Sequence, residues 1–119
     1  MVNPKQELEF FDVEALPWRP VEGMPGMEQK VLAGDPASPV VTRLARIRAG
    51  SDFHTALAHD FWEEIWILEG SVFDKRTGLT YRAGMYSCRP PGMVHGPFRF
   101  DEDALVFEVR YPDAGAPAS

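Results

Sequence analysis

Trp62-Glu63-Glu64-Ile65-Trp66-Ile67-Leu68-Glu69, closed by Gly70, is the run that decides how this chain folds. In an extended strand successive side chains point to opposite faces. Glu63, Ile65 and Ile67 therefore share one face, and Trp62, Glu64, Trp66 and Leu68 share the other. Both faces carry large apolar groups, which a sheet exposed on one side does not need. The strand is expected to be covered on its reverse face as well, by the N-terminal segment or by a second subunit.

Working outward, similar short segments rich in Val, Ile, Phe, Trp and Tyr recur between Gly, Pro and Asp. They are Met27–Leu32, Val40–Arg48, Leu79–Arg82, Met85–Arg89 and Ala104–Tyr111. Short strands at close spacing with turn signals between them predict an all-β antiparallel sandwich or barrel. Asp74-Lys75-Arg76-Thr77-Gly78 reads as a hairpin loop, with Gly78 supplying the left-handed position that such turns need. No window predicts a helix, because Pro or Gly interrupts nearly every stretch of sufficient length. Residues 1–38 read as an extended N-terminal arm, punctuated by Pro17, Pro20, Gly23, Pro25 and Gly26 and anchored by Phe10, Phe11 and Trp18. Residues 39–112 are expected to form the sandwich or barrel, and residues 113–119 read as a flexible tail.

At 119 residues the chain fits one domain. Its net charge of −6 argues against nucleic acid or an anionic membrane surface as partner. No apolar run approaches the roughly 20 residues of a membrane span. The opening Met1-Val2-Asn3-Pro4-Lys5-Gln6 lacks the pattern of a secretory signal, and the lone Cys88 fits a reducing compartment. A cytoplasmic location is expected. Cys88 itself reads as a small buried residue of a strand. Arg43, Arg46 and Arg48 read as partly solvent-facing, with one of them available to an anionic ligand.

The three histidines fall in two Gly- and Pro-punctuated segments. One runs from Gly50 through His54, His59, Glu63 and Glu64 to Gly70. The other runs from Gly84 through Pro90, Pro91 and Gly92 to His95. Neutral imidazoles together with a carboxylate are the ligands that proteins offer to Zn, Fe, Mn, Ni or Cu.

The two segments resemble the paired motifs of the cupin superfamily. Gly84, Pro90, Gly92 and His95 match the second motif without a gap, and His59, Glu63 and Gly70 match the end of the first. The resemblance spans residues 40–111 and looks closest to small acetylacetone-dioxygenase-like and anti-sigma-factor-like cupins. It implies an RmlC-like β-barrel, or jelly roll, holding one divalent metal ion on His59, Glu63 and His95. Parity agrees on the glutamate: His59 and Glu63 lie an even number of residues apart, whereas Glu64 points the other way. The family usually carries a further His where Leu57 stands. His54 is a fourth candidate ligand if the chain bulges there; in an unbroken strand it faces away from His59. Leu57, Ile65 and Ile67 are expected to form the dry wall of the pocket.

Three functions follow from this reading. The first is a mononuclear metal-dependent dioxygenase acting on a small dicarbonyl or enolate. The second is a non-catalytic metal or small-ligand sensor, and the third a metal-free isomerase or epimerase of the sugar-modifying type. The expected partner is a small molecule, and the doubly apolar strand predicts a homodimer.

Overall fold

The computed structural model of the chain describes residues 3–114. Nine strands follow one another: β1 (Arg19–Pro20), β2 (Met27–Asp35), β3 (Val40–Ile47), β4 (Phe61–Glu69), β5 (Ser71–Asp74), β6 (Leu79–Arg82), β7 (Tyr86–Arg89), β8 (Phe98–Arg99) and β9 (Ala104–Pro112). The described residues contain no α-helix, only a 3₁₀ turn at Val13–Ala15, where the Glu14 N–H donates to the Asp12 carboxylate. The strands form a six-stranded sheet in the order β1-β2-β3-β9-β4-β7 and a three-stranded sheet in the order β6-β5-β8. Every pairing is antiparallel.

Local chemistry sets the corners. Gly78 has φ +74° and its N–H donates to the Asp74 carbonyl, while the Asp74 carboxylate accepts from the Arg76 N–H. The hairpin between β5 and β6 is therefore the one its residues predict. Gly70, between β4 and β5, has φ +80°, and a Cβ there would collide with the Asp103 carbonyl oxygen. Only glycine lets the chain step from one sheet to the other so close to β9.

The N-terminal segment departs from expectation. Met27–Asp35, which a boundary at residue 38 assigns to the arm, pairs with β3 along its whole length as a member of the main sheet. Phe10 is fully exposed and Phe11 is exposed too, so neither anchors the arm within this chain. Trp18 is the residue that docks, with the Lys30 ammonium 4.9 Å and the Arg46 guanidinium 4.4 Å from its ring centre. Lys30 Nζ also donates to the Val13 carbonyl. The arm is thus held to the outer face of β2 and β3 by cations. Of the tail, residues 115–119 lie outside the described residues.

Between the sheets Ala45, Ile47, Ile67, Phe100, Ala104 and Val106 form the apolar core, with Met27, Phe53, Ile65, Val72, Tyr81 and Phe98 packed against it. Burying a side chain such as Ile67 or Val106 stabilises by about 1.5–3 kcal/mol. The outer face of β4 and its neighbours is aromatic: Trp62 stacks on Tyr111, and Trp66 and Tyr86 are 50% and 59% exposed. Cys88 lies on that outer face opposite Glu64 and is exposed, not buried. The short β7 is the last strand of the main sheet.

Candidate metal centre

The register of the main sheet arranges the site. Across four adjacent strands, Val41 on β3 faces Arg110 on β9, Arg110 faces Glu63 on β4, and Glu63 faces Arg89 on β7. One step toward the core, Arg43, Glu108, Ile65 and Ser87 form the next row. Paired residues of antiparallel strands share a face, so all of these side chains point inward with the core residues.

The histidines arrive from loops that the backbone ties together. Leu57 and His95 exchange two backbone hydrogen bonds, 2.8 and 2.9 Å long. The Gly92 N–H donates to the His59 carbonyl at 2.7 Å, so the glycine of the second segment holds the first ligand of the other. Gly92 has φ +83°, a conformation that L side chains rarely adopt. His59 stacks on Phe61 with ring centres 4.6 Å apart and planes 8° from parallel.

The outcome is a cluster in which one donor atom from each of His59, Glu63 and His95 lies within 4.8 Å of the others. His59 Nε2 is 3.6 Å from Glu63 Oε2, and His95 Nε2 is 3.8 Å from Glu63 Oε1. Two donors bound at about 2.1 Å to one ion lie at most about 4.2 Å apart, so both pairs already meet that limit. Glu63 and His95 are buried, and His59 is partly open to solvent. His95 Nδ1 lies 3.3 Å from the Met93 carbonyl; with its proton donated there, Nε2 keeps its lone pair for the centre. Burial lowers the His95 pKa, and the Arg89 charge adds to the effect, both favouring the neutral imidazole that a metal requires. The donor chemistry and burial fit a divalent ion, as does the spacing of the two carboxylate–imidazole pairs.

His54 is exposed and stands outside this cluster. Leu57, in the place of the further histidine, pairs its backbone with His95 and is 36% exposed. Ile65 sits one row below Glu63, and Ile67 one row deeper, within the apolar core.

Charged residues that the strand readings do not single out surround the cluster. Arg89 Nη1 donates to Glu63 Oε1 at 2.8 Å, and Arg110 Nε lies 3.7 Å from Glu63 Oε2. Arg43, expected to face solvent in part, is 4% exposed and makes two hydrogen bonds to Glu108 and one to Gln29. Arg46 and Arg48 are exposed. The available signal was the alternation Val106, Glu108, Arg110, which puts both charges on the core face of β9.

Residues 6–112 match the family model described as the ChrR cupin-like domain. The chain belongs to this family. Solved cupins share its fold at low identity. A putative acetylacetone dioxygenase from Methylibium petroleiphilum PM1 is 20% identical, with a TM-score of 0.72, and the match covers all of this chain and 91% of that one. An RmlC-like cupin from Shewanella frigidimarina NCIMB 400 is 17% identical, with a TM-score of 0.70 and coverage of 93% and 96%. The Rhodobacter sphaeroides complex of SigE with the anti-sigma ChrR matches at 20% identity and a TM-score of 0.62, covering 84% of this chain and 51% of that one. No curated protein matches by sequence. The expected fold, an RmlC-like cupin, is thus the fold found. Among the described residues no helix is long and apolar enough to cross a membrane.

Proposed function

We propose that this cupin binds one divalent metal ion on His59, Glu63 and His95 and acts as a mononuclear dioxygenase on a small dicarbonyl or enolate. The convergence of two imidazoles and one carboxylate inside the sheet carries this reading. Two His and one carboxylate with open positions suit non-haem Fe(II), and the same atoms also serve Zn, Mn or Ni. A bound ion supplies Lewis acidity toward an enolate oxygen and a place beside it for a second reactant. The chain's own part is to keep His95 neutral, to orient it through the Met93 carbonyl, and to hold Glu63 between Arg89 and Arg110.

Metal analysis of freshly purified protein is expected to find about one equivalent of a divalent metal, as a single three-ligand site requires. His95→Ala is expected to weaken metal binding more than the roughly 10–100-fold that loss of an outer partner costs. Chelator competition measures this, and an unchanged affinity refutes the site. Oxygen consumption by the Fe(II)-loaded protein across a panel of diketones tests the reaction.

A second reading, a non-catalytic metal or ligand sensor, is favoured by the family match and by the likeness to ChrR in its complex with SigE. Metal binding without turnover, together with a stable complex with a specific protein, would select it. We also propose that the chain forms a homodimer in the cytoplasm. The aromatic outer face of β4, β7 and β9 and the exposed Leu8, Phe10 and Phe11 support the dimer. Light scattering that shows a monomer at all concentrations excludes it.

A further inference from the structure

We propose that Arg110 and Arg89 receive a carboxylate of the ligand, so that the site takes oxo acids in preference to neutral diketones. The inference rests on the metal-binding reading above and narrows its substrate class.

The inner face of β3, β9, β4 and β7 carries three guanidinium groups, on Arg43, Arg89 and Arg110, and two carboxylates, on Glu63 and Glu108. Their partners are unequally shared. Arg43 grips Glu108 with two hydrogen bonds of 3.1 and 3.2 Å and spends a further donor on Gln29 at 2.7 Å. Glu63 alone serves His59, His95, Arg89 and Arg110. Arg110 Nε lies 2.6 Å from Glu108 Oε2, yet its N–H direction misses that oxygen. Among the described residues it is the buried side-chain polar atom without a hydrogen bond.

A divalent ion on Glu63 adds two positive charges to an interior that already holds one more guanidinium than carboxylates. Buried charge without a counter-charge is costly. An entering carboxylate offsets that cost with the charge it already carries, whereas a diketone does so only after giving up a proton. Geometry agrees with charge. The Arg89 and Arg110 side chains are 14% and 16% exposed, more open than Arg43 at 5%. Each guanidinium lies over a ring, Arg89 over Phe98 at 5.4 Å and Arg110 over Phe61 at 5.2 Å. Both stand opposite Glu63 on its two neighbouring strands, so the proposed ion is flanked by two groups whose fork is shaped for carboxylate.

Acetoacetate and acetylacetone test this as a pair, since they differ in a carboxylate against an acetyl group. Zinc-loaded protein, titrated by calorimetry, is expected to bind acetoacetate at least about tenfold more tightly than acetylacetone. With zinc saturating, Arg110→Gln should weaken acetoacetate about tenfold more than it weakens acetylacetone. Arg110→Lys, which keeps the charge and loses the fork, should fall between and serves if the Gln variant fails to fold. Equal binding of the two compounds by the wild type overturns the proposal while leaving the metal site standing. So does an Arg110 variant that weakens both alike, the result of arginines that only steady Glu63. Failure of the wild type to hold zinc instead defeats the metal reading and this inference with it.

Discussion

Glu63 and Ile67 lie four residues apart on one strand and one face, yet they belong to different interiors. Around Ile67 the sheet presents Ala45, Ile47, Ala104 and Val106, all nearly inaccessible to water. Around Glu63 the same strands present Arg43, Arg89, Arg110 and Glu108. The first half gains stability from burial that needs no exact partner. The second half gives some of it up, because buried ion pairs return little net energy after desolvation. A charged interior thus stacks on a dry one, and the proposed ligand site lies wholly in the charged half.

The comparison can be broken first at Glu108. Glu108→Gln leaves Arg43 and Arg110 buried without their shared counter-charge, and should cost about 3–5 kcal/mol in denaturant unfolding. A loss below about 1 kcal/mol, the range of surface pairs, would mean that the upper half is in effect solvated. Next, Ile67→Ala should cost about 2–5 kcal/mol through the cavity it leaves. Metal affinity should stay unchanged, since Ile67 lies two register rows from Glu63; a large fall would show that the halves are not independent.

The smallest effect belongs to the outer face, where Glu64 is the neighbour that Glu63 is not. Its hydrogen bonds with Tyr86 and Tyr111 lower the Glu64 carboxyl pKa and push Tyr111 up to about 12. A raised tyrosine value stabilises the fold fully below the ordinary tyrosine pKa, and the contribution is lost as pH climbs through about 12. Glu64→Gln should return the ultraviolet titration of Tyr111 toward its usual range and leave metal binding intact. Metal loss in that variant would mean that the two glutamates are not separated by the sheet.

Much of this was legible in the residues. The alternation in Trp62–Glu69 set Glu63 and Glu64 on opposite faces, the motif resemblance made Glu63 the inward one, and the register agrees. Gly78 marked its hairpin because only a residue without Cβ adopts that turn freely. Phe10 and Phe11 misled, because an aromatic residue in an arm says nothing of what it meets. Arg43 misled for the converse reason: a charge is normally exposed, and its burial depends on Glu108, which lies 65 residues away.

The sequence by itself determined the six longer or clearly bounded strands, though not β1, β5 or β8, together with the β5–β6 turn and the chemistry of the three candidate ligands, since alternation, glycine freedom and imidazole–carboxylate chemistry are properties of neighbouring residues. Only the tertiary structure decided which charges share the interior with them. That depends on the register between strands far apart in the chain, which sets Arg110 and Arg89 on either side of Glu63.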